Sequence, residues 1–214
     1  MKVSIACPTF EYYGRGVEVL DDMFRTIAAQ TFKDIEVVIS DHSKTDVIED
    51  YCKENEHNLN IKYIRNENGR GNPSINTNNA IDNCSGEIIK IFQQDDFFYD
   101  TEAVEKMYDA MTNSDAKWFV CGAVHTRDDG HTFFNPMYPR WDDKIMLRYD
   151  SELRMLLDVD FYYQNVLNYG MPIFYRDTLI VNRVRDNDTL MAEVSEEEIE
   201  EEFQYCFKKH GISR

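Results

Sequence analysis

Residues 85–98 read SGEIIKIFQQDDFF. From Glu87 to Phe92 the run is short, rich in Ile, and bounded by a Ser-Gly turn before it and a Gln-Gln-Asp-Asp cluster after it. That is the pattern of a buried strand emptying into a polar loop. Toward the start of the chain the same unit recurs, with Val3 to Cys7, Ile35 to Ser40 and Ile61 to Ile64 as apolar runs of strand length. Between them Leu20, Met23, Phe24 and Ile27 share one face of a helix over about 17 to 29. Ser43 and Asp46 stand as capping residues before Val47, Ile48, Tyr51 and Cys52, and Asn72-Pro73 opens a further helix that runs to about Cys84. Strands alternating with amphipathic helices predict an α/β fold with a mostly parallel central sheet flanked by helices.

Beyond the acidic cluster, Val104, Met107, Tyr108 and Met111 mark another helix face and Trp118 to Val124 another strand. From Thr126 to Arg148 the chain mixes Asp, Gly, Pro, Trp and Tyr without period, which predicts a long irregular segment. Ser151 opens a helical stretch that ends near Asn168 with Gly170 as its stop, and Leu179 to Val184 reads as a late strand. Ser195 and Glu198 form a capping box for a C-terminal acidic helix, with Ile199, Phe203, Cys206 and Phe207 on its apolar face and the Glu run in water.

At 214 residues, with 13 Phe and 13 Tyr, the chain suits one domain with a full core. Its 23 basic against 40 acidic residues, a formal charge of -17, oppose general affinity for nucleic acid or anionic membrane. The five cysteines form no C-x-x-C pair and read as free thiols, and no run approaches the ~20 apolar residues of a membrane span. Both features predict a cytoplasmic protein without an integral membrane segment.

In an open α/β sheet ligands bind beyond the carboxyl ends of the strands. Three such ends carry chemistry: Pro8-Thr9-Phe10-Glu11, Asp41-His42-Ser43 and Gln93-Gln94-Asp95-Asp96. Taken singly, each carboxylate reads equally as a cap or turn residue. The five histidines lack metal-like spacing with Cys and read as surface residues.

Together VSIACPTF, EVVISDHSKTD, IRNENGRG, TNNAI and SGEIIKIFQQDDFF resemble, in order and spacing, glycosyltransferase family 2. That resemblance implies a single GT-A domain over 1–214, with a nucleotide-binding half at 1–100, an acceptor-side half at 101–190 and a C-terminal helix at 191–214. It implies an inverting transferase that moves a sugar from a nucleotide diphosphate donor, UDP-sugar favoured, to a hydroxyl acceptor on a glycan, with Mn²⁺ or Mg²⁺ as cofactor. By the same resemblance Asp95 is the metal ligand with Asp96 as runner-up, Asp41 accepts from a pyrimidine N3–H, and Pro8, Thr9, Phe10 and Glu11 hold base and ribose. Gln93 replaces the family's first acidic residue and can still bond a ribose hydroxyl, with Gln94 beside it. Thr77 stands where the family has an Arg before Asn78, and Arg70 or Arg185 is available to face the diphosphate instead. LLDVDFYYQNVLNYG aligns the family's catalytic base with Asp158, and Asp160 is the alternative. An Asp, with a reference pKa of about 3.9, is ionised at neutral pH and can take the acceptor proton. Two rival classes remain at this stage: a nucleotide-sugar-binding protein without turnover, and a sugar nucleotidyltransferase, which needs a basic Gly-rich loop that CPTFEYYG does not supply.

Overall fold

The computed structural model describes residues 2–127, 134–143 as backbone, 149–154, 156–184 and 194–211. The strands are β1 (Val3–Thr9), β2 (Ile35–Asp41), β3 (Ile61–Arg65), β4 (Ile88–Ile91), β5 (Phe97–Phe98), β6 (Trp118–Thr126), β7 (Phe134–Asp143) and β8 (Ile173–Arg183). The helices are α1 (Gly16–Ala28), α2 (Val47–Asn55), α3 (Pro73–Asp82), α4 (Ala103–Thr112), α5 (Leu157–Tyr169) and α6 (Glu196–His210). The strands form one sheet in the order β3-β2-β1-β4-β7-β6-β8-β5. β3, β2, β1 and β4 are mutually parallel, β7 runs antiparallel between β4 and β6, and β8 is parallel to β6.

The alternation of side chains along β1 separates two cores. Val3, Ile5 and Cys7 face a cluster built with Leu20, Met23 and Phe24 of α1, Ile48 of α2 and Met107 of α4. Ala6 faces the other cluster, made with Ala80 and Ile81 of α3, Leu157 and Phe161 of α5 and Cys206 of α6. Each fully buried Leu, Met or Phe contributes about 1.5–3 kcal/mol by leaving water. All five cysteines are free. Among the described residues no helix is long and apolar enough to cross a membrane.

Several elements differ from the sequence expectation. The segment expected to be irregular contains β7, which pairs with both β4 and β6. Its two prolines, Pro136 and Pro139, fall where the register with β6 shifts, so the ladder bonds a proline cannot donate are not required there. β8 begins at Ile173, six residues before the apolar run at Leu179, because its first half is an edge whose positions are exposed or half-buried. Asp46 is the α2 N-cap residue but makes no capping bond, its carboxylate being drawn 2.9 Å from Arg65 instead. α5 begins at Leu157, so the stretch opened by Ser151 is a run of turns before it. The Asn72-Pro73 start, the Gly170 stop and the Ser195–Glu198 capping box all form.

α6 is fastened to α5 by charge. Asp160, 1% exposed, receives Lys209 Nζ at 3.0 Å, His210 Nε2 at 2.6 Å and Gln164 Nε2 at 2.6 Å. Lys209 and Tyr205 also reach Asp150. Asp160→Asn removes the counter-charge while keeping the shape, and a urea titration is expected to show a loss of about 1–3 kcal/mol, with amide exchange accelerated in α6 first. Parental stability would mean that the helix is held by its apolar contacts alone.

Candidate functional site

Because β1, β2, β3 and β4 are parallel, the loops that follow them leave the sheet at one edge, where they enclose a cleft of about 420 Å³. Its wall takes Pro8 and Thr9 from the end of β1, Phe10 to Tyr13 from the next turn, His42 and Lys44 after β2, and Gln93 to Asp95 after β4. Arg70, Gly71, Pro73 and Asn76 contribute from the entrance to α3, and Arg154 from the turns before α5.

The turn after β1 is strained. Tyr12 and Tyr13 both have left-handed backbones, with φ of 51° and 54°, at a cost of about 1–3 kcal/mol each for residues with a Cβ. Neighbouring bonds hold it in place. Gly14 and Gly16 donate to Glu11 O at 3.0 and 2.8 Å, and the Tyr12 hydroxyl donates to Asp95 Oδ2 at 2.9 Å. Gly16 is needed because a Cβ there would stand 2.7 Å from Phe10 O. Gln94 completes the clamp, its Oε1 accepting from Phe10 N at 2.7 Å and its Nε2 donating to Phe10 O at 3.2 Å. Glu11 accepts the backbone N–H of Lys44, and that of Thr45 at 3.0 Å. Burial pushes the Glu11 carboxyl up, but these N–H groups outweigh it and hold the group below the usual carboxylate range.

Under the cleft lies a polar frame that ties the strand ends to α3. Asn76 Oδ1 accepts from Ser40 Oγ at 2.7 Å and from Asn66 Nδ2 at 3.2 Å, while its Nδ2 donates to Thr9 O at 3.1 Å. Asp41 belongs to this frame. It is 0% exposed, and it accepts from Ser43 N at 2.8 Å and from the Tyr63 hydroxyl at 2.7 Å. His42 accepts from Gly71 N at Nδ1 and meets Asn68 O at 3.1 Å from Nε2, an arrangement that fixes the neutral ring with its proton on Nε2. Burial lowers its pKa, consistent with that neutral form.

The acidic pair divides. Asp95 is half-buried on the cleft wall, whereas Asp96 is turned inward and accepts from Asn182 Nδ2 at 2.5 Å. Burial, and then the adjacent Asp96 charge, push Asp95 up to about 6.

Of the residues picked out from sequence, the structure brings Pro8, Thr9, Phe10, Glu11, Arg70, Gln93, Gln94 and Asp95 to one cleft. Asp41 and Asn78 are not on its surface. Asn78 exchanges two 2.8 Å bonds with the backbone of Tyr149, so its amide is spent joining α3 to the segment before α5. Asp158 is exposed in the first turn of α5, four residues past Arg154, while its alternative Asp160 is sealed beneath α6. Arg185 lies outside the described residues. Sequence reading passed over Tyr12, Tyr13, Lys44, Asn76 and Arg154, and His42, named in the strand-end triplet but read as a surface histidine, is buried at 6% exposure on the cleft wall. Position soon after β1 or β2 was the available signal for Tyr12, Tyr13 and Lys44, and for Arg154 there was none.

An α/β domain that gathers three cations, Lys44, Arg70 and Arg154, against two carboxylates, Glu11 and Asp95, at the carboxyl edge of its parallel strands is suited to a small anionic ligand. The profile of glycosyl transferase family 2 matches residues 4–183, and the chain belongs to that family. The GalNAc(5)-diNAcBac-PP-undecaprenol beta-1,3-glucosyltransferase of Campylobacter jejuni is 34% identical over 99 residues, which is 44% of this chain and 30% of that protein. Among solved structures, Staphylococcus aureus TarS 1-349 in complex with UDP-GlcNAc superposes with a TM-score of 0.75 at 16% identity, covering 91% of this chain and 62% of that one. The mannosyltransferase PcManGT from Pyrobaculum calidifontis, in complex with GDP-Man and Mn²⁺, gives 0.63 at 14% identity, over 86% of this chain and 57% of that one. The fold is therefore GT-A. The chain spans about a third of the curated relative and less than two thirds of these solved chains.

The buried bonds of Asp41 make it a support for the frame. Asp41→Ala leaves Ser43 N–H and the Tyr63 hydroxyl without an acceptor, and chemical denaturation is expected to show a loss of about 2–4 kcal/mol. Parental stability would remove Asp41 from the frame.

Proposed function

We propose that this chain transfers a sugar from a nucleoside diphosphate sugar, a UDP-sugar by preference, to a hydroxyl of a glycan acceptor with inversion at the anomeric carbon. The observation that carries this reading is the charge pattern of the cleft. In a chain of net charge -17, Lys44, Arg70 and Arg154 line one cleft, and among the described residues none of the three makes an ion pair. Asp95 lines the same cleft, which therefore offers cations for phosphate oxygens and a carboxylate for a metal. UDP-GlcNAc in TarS and GDP-Man with Mn²⁺ in PcManGT support the ligand class.

Among the described residues no three His, Cys, Asp or Glu side chains group to hold a metal. The donor set nevertheless fits Mg²⁺ or Mn²⁺, since such ions are held by one or two carboxylates with substrate phosphates and water filling the remaining positions. Asp95 would hold the ion, with Gln93 as a neutral neighbour and Asp96 behind it. When bound, the ion supplies Lewis-acid stabilisation of the departing diphosphate. The chain's own residues do the rest. Pro8, Thr9, Phe10 and Glu11 receive base and ribose, and Asp41, sealed in the frame below, supports them rather than meeting a pyrimidine N3–H itself. Arg70, with Arg185 as a further candidate, faces the phosphates. Asp158 takes the proton from the acceptor hydroxyl as it attacks from the face opposite the leaving group. A nucleotide-sugar binder without turnover is the second reading, motivated by the uncharged Gln93.

The deciding experiment is a panel of nucleotide sugars scored for Mn²⁺-dependent nucleotide release, with the product's anomeric configuration read by NMR. Release without retention of configuration is expected, and binding without release from any donor would select the binder. Asp95→Asn is expected to remove the Mn²⁺ dependence of UDP affinity in calorimetry, and equal affinity with and without the substitution would move the ligand role elsewhere. Asp158→Asn is expected to lower transfer by about 10² to 10⁴ with UDP affinity intact. Near-parental turnover would remove Asp158 from the mechanism.

A further inference from the structure

The acidic helix α6 lies beyond the part of the chain that the family profile matches, which ends at residue 183. Its Glu202 is half-buried and turned to the start of α5. Glu202 Oε1 accepts from Arg154 N at 2.7 Å and Oε2 from Leu156 N at 2.8 Å, so one carboxylate spans the entrance to α5. That entrance has no capping bond of its own, since the N-cap residue is Leu156. On its other side the same segment is gripped by α3 and the turn before it. Asn72 Nδ2 donates to Ser151 O and Ser74 Oγ to Leu153 O, each at 2.8 Å. Arg154 therefore sits on a backbone fastened from two directions, and the residue lines the cleft. Glu198 of α6 feels the Arg154 charge, but its hydrogen bonds go to the Ser195 capping box, at 2.8 Å to Ser195 N and Oγ.

We infer that α6 is part of the donor site: Glu202 is a positioning residue that holds Arg154 against the cleft, where the guanidinium binds the diphosphate of the nucleotide. This inference rests on the reading of the cleft as a nucleoside diphosphate site. A guanidinium suits the task because its planar fork matches two phosphate oxygens at once and keeps its charge at any working pH. The residue offsets a local deficit, because Thr77 occupies the place of a family arginine and its hydroxyl donates to Pro73 O at 2.8 Å, inside its own helix. Two anchors independent of Glu202 keep α6 docked, the Asp160 cluster and buried Cys206. Removal of Glu202 should therefore loosen the Arg154 segment without releasing the helix.

The test is calorimetry of UDP and of uridine, each with Mn²⁺, on the full chain and on Arg154→Ala, Glu202→Ala and the double variant, with thermal melting recorded for each. Parental UDP binding decides the donor reading first; if the parent binds neither UDP nor uridine, that reading fails and this inference falls with it. If the parent binds, Arg154→Ala is expected to weaken UDP by about ten- to a hundredfold and uridine by less than about twofold, the selectivity of a lost charged hydrogen bond to phosphate. Glu202→Ala should weaken UDP in the same direction and again spare uridine, and the double variant should be no weaker than Arg154→Ala alone. The inference is overturned if Glu202→Ala binds UDP as the parent does, if the two losses multiply in the double variant, or if uridine falls in step with UDP. Should Glu202→Ala fail to fold, Glu202→Gln carries the test. It keeps one acceptor oxygen, so a partial loss of UDP affinity with uridine spared supports the inference, and unchanged UDP affinity overturns it.

Discussion

β1 is hydrogen-bonded on both sides by strands running in its own direction, in a register that sets Pro8 beside Ser40 and Thr9 beside Asp41. Everything at the site follows from that pairing. Parallel strands discharge their loops at a common edge, so the turn after β1, the His42–Lys44 segment and the Gln93–Asp96 segment cannot avoid one another. The strand ends are then locked from below by Asn76, which reaches Thr9 O, Ser40 and Asn66 from the first turns of α3. Each of these bonds contributes only about 1 kcal/mol net, but leaving any one partner unmade inside the buried frame costs more than that. The cleft floor is thus fixed in geometry more firmly than its individual bond energies indicate.

What the sequence made legible follows the same physics. β1, β2 and β4 are buried on both faces, so they read as mostly apolar runs, broken only by single polar residues such as Glu36 and Lys90, with polar residues immediately after them. β7 carried no such signal, because it reaches its partner with two prolines and two shifts of register. The first half of β8 was equally silent, since exposed and half-buried positions there give no apolar run. At the site, strand-end residues such as Thr9 and Asp95 were found because their position in a unit decides where they go. Asn78 was misplaced for a different reason. Asn76 and Asn78 are about 200° apart around a helix, and a motif match alone does not say which of them looks into the cleft. Arg154 and Glu202 are 48 residues apart in the chain, a relation that no local pattern encodes.

The chain's overall charge and the charge of its cleft have opposite signs, and distance reconciles them. Exposed charges more than about 8–10 Å away are largely screened at physiological salt, so a phosphate inside the cleft responds mainly to the groups that line it. There Lys44, Arg70 and Arg154 outnumber Glu11 and Asp95, and Glu11 is already neutralised in part by the two backbone N–H groups that it accepts. The surrounding negative field still acts on encounter. It disfavours nucleic acid and other extended polyanions, while a compact ligand that shares its charge with a metal meets less of it.

The strained turn after β1 gains its sense from Asp95. A half-buried carboxylate beside a second carboxylate is costly to keep ionised, which is why its pKa rises. The chain answers with a neutral donor, the Tyr12 hydroxyl, and brings it there by holding two tyrosines in the left-handed region. A lysine at the same place would neutralise Asp95 permanently and compete with any cation brought by the ligand. A phenol offers one hydrogen bond and no charge, so it steadies the carboxylate in the free protein while leaving its negative charge in place for a metal. Gln93 acts in the same sense. A third acidic group in this loop would add repulsion that the free protein has no cation on the cleft wall to relieve at close range, whereas an amide keeps hydrogen-bonding capacity without it. Under the proposed reaction Asp95 then needs the diphosphate oxygens to complete a metal's coordination, which couples metal affinity to nucleotide occupancy of the same cleft.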